Sequence, residues 1–199
     1  DLGLAKLGKW DQMNFVGLKN YAMIFSDKVF IKSITNTLYY VVIGVPSVIV
    51  VSFLLAYLLN RGGEKKLYSF FRAVFYSPSV TNMVAVSIVW LYLFNPSIGL
   101  FNDIIQFFGG ESLLWLKDKA TAKNSLLILS VWKNMGINML IFLAALQSVP
   151  KELYEASSLD GARRLVQLFK ITLPNILFSV FFVTVTTLIG WFQYFEEVY

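Results

Sequence analysis

The residues with the clearest chemical pattern lie in a polar segment, residues 148–174, between two long apolar stretches. Glu155, Asp160 and Gly161 are poorly suited to insertion among anionic lipids, because two are acidic and the third has no side chain. They suit polar contacts and close backbone approach to a protein partner instead. The segment is either an amphipathic loop at a membrane surface or a docking surface, and the acids favour docking.

A second group of candidates consists of polar and aromatic side chains inside the apolar stretches. Lys133 interrupts one of them, and a charge in a membrane core costs about 2.5–3.5 kcal/mol unless it faces water or a partner. Aromatic rings beside amides and hydroxyls suit a sugar, which has apolar faces and polar rims. If a solute crosses the membrane between these stretches, the candidates for lining its pathway are Trp132, Lys133, Asn134, Asn138, Thr187, Trp191 and Tyr194.

Each of these candidates has another interpretation. Trp191 and Tyr194 are equally consistent with the aromatic belt at a membrane interface. Lys133 could extend towards the interface, pair with a neighbouring subunit or face the pathway. In the last case an acidic or phosphorylated solute becomes more plausible.

The composition excludes an ordinary soluble enzyme. Of the 199 residues, 57% are hydrophobic and 15% are charged, and the mean hydropathy is +0.63. Soluble domains have about 25% charged residues. The chain has no Cys and no His, which excludes disulfides, thiolate metal sites and Ser–His or Cys–His catalysis.

Four stretches with few or no charges are long enough to cross a membrane. A hydrocarbon core of about 30 Å needs about 20 helical residues. The sequence therefore predicts spans A, B, C and D at about 34–60, 73–94, 124–147 and 174–195. Pro46, Pro78 and Pro174 lie in or near these spans, which favours a bundle, where neighbouring helices satisfy the freed carbonyl groups.

The distribution of Lys and Arg predicts the orientation. The A–B connector has four basic residues and one acidic residue, whereas the B–C loop has three of each. The positive-inside rule places A–B and C–D in the cytoplasm and B–C outside. Residues 1–33 are then extracytoplasmic by alternation, although they contain five Lys, and residues 34–199 form the membrane domain.

Within the C–D loop, the sequence predicts two short helices joined by a turn. Pro150 suits the first turn of a helix, and Glu152 and Glu155 lie near its positive end. Gly161 permits a left-handed turn or a close backbone approach. A second helix is predicted over about 163–170, and Pro174 marks the entry to span D.

Several motifs in order resemble one family of membrane proteins. The 155–157 and 160–162 triplets and Ile171-Thr-Leu173-Pro174 resemble the cytoplasmic EAA signature of binding-protein-dependent ABC-transporter permeases. The similarity to the sugar-permease branch, of the maltose and glycerol-3-phosphate type, extends over nearly the whole chain, through residues 16–21, 36–38, 70–72 with Pro78, 90–99 and 150–154. Ser157 departs from the family's usual Ala, a change from one small residue to another.

The resemblance implies an all-α integral membrane protein with the type I ABC importer (MetI-like) bundle, with four of an expected six spans in this chain, an excerpt of a longer one. It implies that loop 148–173 couples to an ATPase in the cytoplasm. The coupling residues would be Glu155 and Asp160 for polar contacts, Ala156 and Gly161 for close approach, Leu159 or Phe169 in an apolar notch, and Ser157, Ala162 and Pro174 beside them. Solute contacts would lie in spans C and D.

The implied partners are an ATP-binding cassette subunit, an identical or different second permease, an extracytoplasmic solute-binding protein and the lipid of a bacterial or archaeal cytoplasmic membrane, with no nucleic acid. The chain itself would bind no cofactor and catalyse no reaction, and its partner would use ATP and Mg²⁺. No Walker-type glycine-rich motif is present in the sequence.

Other classes remain as alternatives. A non-transporting docking or sensor module would use the same loop for a different partner. A channel or secondary transporter would be expected to have internal repeats or several acids within its spans, and neither is evident.

Overall fold

The computed structural model describes residues 17–62 and 65–193, and the regular secondary structure in these ranges is helical throughout. This confirms the predicted all-α class. The chain divides into two compact units, residues 1–39 and 40–199.

The helices are, in chain order, α1 (Lys19–Ser26), α2 (Lys28–Asn60), α3 (Lys66–Val80), α4 (Met83–Leu93), α5 (Leu100–Phe107), α6 (Lys119–Ser148), α7 (Lys151–Leu159), α8 (Arg164–Gln167), α9 (Leu173–Asn175) and α10 (Leu177–Phe192). A π-helical turn, Leu168–Thr172, joins α8 to α9.

The first unit, as far as it is described, contains α1 and the beginning of α2. The Asp27 side chain accepts a hydrogen bond from the Val29 backbone N–H at 2.8 Å, as a helix-capping residue does. The predicted extracytoplasmic segment 1–33 is thus helical from Lys19 onwards, and the side of the membrane on which it lies stays a prediction.

Within residues 17–62 and 65–193, two helices are each long and apolar enough to cross a membrane, namely α2 and α6. Two bent pairs would raise the number to four if each pair is one span: α3 with α4, bent by 103°, and the helices over Arg164–Asn175 with α10, bent by 70°. Predicted spans A and C are therefore continuous helices, whereas the stretches predicted as spans B and D are broken.

The break within predicted span B lies at Thr81 and Asn82, after Pro78. Because proline has no N–H, the Val74 carbonyl lacks its usual helical partner, and the Ser77 hydroxyl donates to it at 3.1 Å. Asn82 then begins the next helix, with its side chain accepting from the Val84 N–H at 2.8 Å. The helix restarts in a new direction because a capping residue follows the proline closely.

The second break lies at Ile176, two residues after Pro174. The predicted helix at about 163–170 continues through the π-helical turn as far as Asn175. The Asn175 side chain donates to the Ile171 carbonyl at 2.7 Å. The helix that corresponds to span D therefore begins at Leu177, three residues later than predicted.

The core of the second unit forms where α2, α6 and α10 pack together. Its fully buried centre includes Ala56, Met139, Phe142 and Val183. A smaller aromatic cluster packs around Trp90 and Phe94 with Phe101, Trp115 and Trp132. The first cluster fixes α6 against α10, and this pairing positions the cavity described below.

Candidate functional site

The first site is the 148–173 loop, whose first helix, α7, ends in a glycine turn. Gly161 has a φ of +76°, in the left-handed region. The Ala162 N–H bonds the Ser157 carbonyl at 2.9 Å and the Gly161 N–H bonds that of Ser158 at 3.1 Å. This pairing is the Schellman motif, in which glycine avoids the steric penalty of a Cβ. Of the two predicted roles for Gly161, the left-handed turn is therefore present.

The two arms of this loop are joined by one amide. The Gln167 Nε2 donates to the hydroxyls of Ser157 and Ser158, both at 2.9 Å, and to the Tyr154 carbonyl at 3.3 Å. The Tyr154 hydroxyl lies 2.9 Å from that of Thr172, which is buried. The helix–turn–helix is thus held by polar contacts on its inner side, leaving its outer side open.

Most of the residues predicted to couple to an ATPase lie on that outer side. Leu159 is 90% exposed and Phe169 is 64% exposed. The other exposed members are Glu155, Ala156, Asp160, Gly161 and Pro174, while Ser157 and Ala162 are partly buried. A Cβ at Gly161 would contact nothing else in the described chain, so close approach there can concern only a partner.

A concave space of about 400 Å³ separates the inner side of the loop from the ends of α2 and α6. Its lining residues are Tyr57, Asn60, Arg61, Leu146, Tyr154, Arg164 and Gln167. Arg61 lies over the Tyr57 ring at 4.6 Å and donates to its hydroxyl. The loop therefore stands partly clear of the helices above it.

The second site is a cavity of about 520 Å³ between α6 and α10. Four of the seven predicted pathway residues line it: Asn134, Asn138, Thr187 and Trp191. The other lining residues are Ile137, Ile141, Phe182, Thr186, Gly190 and Gln193. The cavity thus combines amides, hydroxyls and aromatic rings.

The two asparagines present a defined set of atoms. The Asn134 Nδ2 donates to the Ser130 carbonyl at 2.9 Å, and the Asn138 Nδ2 donates to the Asn134 carbonyl at 3.1 Å. Each Nδ2 has two N–H groups and one of them bonds along α6, so each residue presents a second N–H donor and the Oδ1 acceptor. Hydroxyl groups are the natural donors to such oxygens.

The Trp191 indole is seated against a glycine of α2. A Cβ at Gly44 would overlap the indole ring. The Tyr40 ring also packs near the indole, and the centroids of the two rings are 6.5 Å apart. The indole is 3% exposed, so its position is set by packing as well as by the cavity that its edge lines.

Two of the remaining predicted pathway residues, Trp132 and Lys133, lie elsewhere. The Trp132 ring packs on Trp90, with centroids 5.3 Å apart. The Lys133 Nζ donates to the Thr81 carbonyl at 2.9 Å. Tyr194 is outside the described residues. Solute binding by any of the predicted residues stays a prediction.

Sequence reasoning missed several residues that the structure brings into these sites. Ile137 and Ile141 share a helix face with Asn134 and Asn138, at spacings of three and four, so extending that face would have found them. No sequence pattern marks Gly44, which contacts Trp191, or Gly136, at which α6 meets α3. A close contact between helices is visible only once the helices are packed.

A model of one protein family matches residues 21–195 of the chain, and its description is "Binding-protein-dependent transport system inner membrane component". The chain is similar to the "Probable ABC transporter permease protein YurN" of Bacillus subtilis, with 36% identity over 94% of this chain and 65% of the relative. It is also similar to the "Arabinooligosaccharides transport system permease protein AraP" of Halalkalibacterium halodurans, with 36% identity over 94% and 58%.

The fold matches a solved structure described as "a bacterial ABC transporter involved in the import of the acidic polysaccharide alginate". The TM-score is 0.78 at 24% identity, over 92% of this chain and 64% of that chain. The chain spans about three fifths of the length of its curated relatives. Both the sequence and the fold thus lead to one assignment: the chain belongs to the family of binding-protein-dependent transport system inner membrane components.

Proposed function

We propose that the chain is the permease subunit of an ATP-driven ABC importer, which forms the pathway for a sugar or sugar-like solute across a cytoplasmic membrane and couples to an ATPase through loop 148–173. The observation that carries the proposal is the joint presence of an exposed, internally braced loop and a polar cavity, connected through a single break at Ile176.

The loop supports the coupling role because its bracing and its exposed surface are on different sides. Gln167 ties the inner side, whereas Glu155, Leu159 and Asp160 are exposed. A large apolar side chain that is 90% exposed between two acids suits a protein groove with a polar rim. The groove would belong to an ATP-binding cassette subunit, which uses ATP and Mg²⁺.

The cavity supports a sugar-like solute because its lining contains both apolar and polar side chains. The Trp191 edge and Phe182 offer apolar surface, while the amide oxygens of Asn134 and Asn138 accept from hydroxyls. Its volume falls within the range of small-molecule sites, about 300–1,000 Å³. The names of the arabinooligosaccharide and alginate relatives agree with this class of solute.

In this mechanism the chain performs no covalent chemistry. Nucleotide-driven movement of the ATPase would displace the loop, and the displacement would reach α10 through the break at Ile176 as a rigid-body change. A second permease would complete the pathway, and an extracytoplasmic binding protein would deliver the solute. The membrane would be crossed several times.

Co-purification from membranes tests the coupling role. A tagged chain should retain an ATP-binding cassette subunit, and scrambling residues 155–161 should release that subunit while the chain stays in the membrane. As a matched control, scrambling residues 103–108 in the B–C loop should leave the complex intact. An ATPase that stays bound to the 155–161 variant would exclude the loop as the contact. A different partner, retained in place of an ATPase, would favour a docking or sensor module.

A further inference from the structure

Lys133 is a candidate pathway residue by its position in the sequence, but in the structure its side chain bonds the backbone between α3 and α4. Its Nζ donates to the Thr81 carbonyl at 2.9 Å, and it does not line the cavity. Thr81 follows directly after α3 and is the C-cap residue of that helix. The ammonium group therefore ties the broken pair α3–α4 to the middle of α6.

Ser79 makes a second tie between the same elements. Its hydroxyl donates to the Lys133 carbonyl at 2.8 Å and accepts from the Ile137 N–H at 3.2 Å. In a regular α-helix these two backbone groups pair with each other, because residue i bonds residue i−4. The Ser79 hydroxyl of α3 thus bonds both backbone groups of one hydrogen-bonding position of α6, which is helical throughout Lys119–Ser148.

Gly136 makes this close contact between α3 and α6 possible. A Cβ at this position would overlap the Phe75 carbonyl oxygen and would lie 2.8 Å from the Ser79 hydroxyl. The backbones of α3 and α6 therefore meet at a point where only glycine fits. We refer to Ser79, Lys133 and Gly136 as the latch.

The latch occupies the helical turn that presents the cavity residues. Asn134 lies between the bonded Lys133 carbonyl and the bonded Ile137 N–H, and Asn138 follows Ile137 directly. The Asn138 side chain in turn bonds the Asn134 carbonyl in the same turn. Loss of the Ser79 bonds would change the backbone of α6 at residues 133–137, and this backbone sets the direction of the Asn134 and Asn138 side chains.

We infer that Ser79 and Lys133 are positioning residues for the cavity: by holding the α3–α4 break against one turn of α6, they set the geometry of Asn134 and Asn138. The inference rests on the proposed function, since it takes this cavity as the solute pathway. Lys133 would then act through the backbone of Thr81 and make no contact with solute.

Cysteine labelling in the assembled transporter tests this inference without knowledge of the solute. The chain has no cysteine, so Thr186→Cys places one thiol in the cavity lining. With a water-soluble maleimide as probe, adding Ser79→Ala or Lys133→Met should change the labelling rate about fivefold, the equivalent of one net hydrogen bond. Lys133→Arg keeps a cationic donor and should restore most of the original rate.

Two controls separate positioning from general loosening. Ser77→Ala removes a hydroxyl from the same helix, but that hydroxyl bonds only within α3, to Val74 at 3.1 Å, and the labelling rate should stay unchanged. A reporter at exposed Ser69, introduced as Ser69→Cys, should label at the same rate with and without the latch variants.

An unchanged rate at Thr186→Cys in both latch variants would overturn the inference, as would an equal change at Ser69→Cys. Failure of the proposed function has a different signature: no ATPase would co-purify, while the latch variants would still change labelling in the cavity.

Discussion

The 148–173 loop and the α6–α10 cavity both contain polar residues in an apolar chain. In the loop the candidate polar residues are mostly exposed, whereas in the cavity several are buried. In the loop, the acids and Leu159 are exposed and the bracing amide of Gln167 is turned inwards. In the cavity, Asn138 and Thr187 are buried at 7% exposure each, and both residues are part of its lining.

This difference distinguishes two kinds of partner. Under the proposed function, Leu159 and the acids beside it are covered by another protein. Asn138 is buried and lines the cavity, and a buried polar group costs free energy unless it is hydrogen-bonded, so the proposed partner there is water or a small solute. The predictions below test whether the two regions are separable in this way.

The largest effect is expected at Gly161, in the loop. Gly161→Pro fixes φ near −65°, which is incompatible with the observed +76°. Uptake should be abolished while the chain still inserts into the membrane, as measured by transport and by immunoblotting of membranes. Gly161→Asn is the matched control, because Asn tolerates the left-handed region. It should retain most uptake if conformation is the constraint. Loss of uptake with Asn as well would instead indicate close approach by the partner.

A smaller effect is expected at Gly44, behind the cavity. Gly44→Ala places a methyl group against the Trp191 indole and must displace it, so the apparent affinity for a transported solute should fall about tenfold, or about 1.4 kcal/mol. The maximal rate should stay nearly constant, because the loop is untouched. Concentration-dependent uptake measures both values. Val42→Leu changes the size of a side chain that is 67% exposed on the same helix, and it should have less effect. Equal effects of the two would contradict the seating of Trp191 on Gly44.

The smallest effect is expected at Gln167. Gln167→Ala removes the amide that joins the arms of the loop, and each lost hydrogen bond is worth about 1 kcal/mol net. Uptake should fall a few-fold with unchanged apparent affinity, the reverse of the Gly44 result. Gln106→Ala removes a comparable amide bond, to Ser112 in the other long loop, and should leave uptake unchanged. A change in affinity with Gln167→Ala would mean that the two regions are not separable.

The continuous helices could be predicted from the sequence, whereas the broken ones could not. α2 and α6 follow uncharged or nearly uncharged stretches of sufficient length. Proline alone does not predict a break, because Pro46 lies inside α2 without ending it. At Pro78 the helix ends because Asn82, four residues later, begins a new one.

The candidate sites were predictable to a similar degree. Asn134 and Asn138 were identified because amides are unusual in an apolar helix, and the cavity contains both. Lys133 was grouped with them by sequence distance, but neighbouring positions on a helix point about 100° apart, and its side chain reaches Thr81 instead. The contact of the Ser79 hydroxyl with α6 has no sequence signal, because serine is common in helices of this kind.

The kink at Ile176 gives the chain a pivot with a long arm. From Ile176 to Trp191 the helix rises about 22 Å, at 1.5 Å per residue. Tilting α10 by about 5° at this point would sweep its far end sideways by about 2 Å, over half the width of a water molecule. Small displacements of the loop would thereby be magnified where Thr187 and Trp191 lie, without any bending of the helix between them.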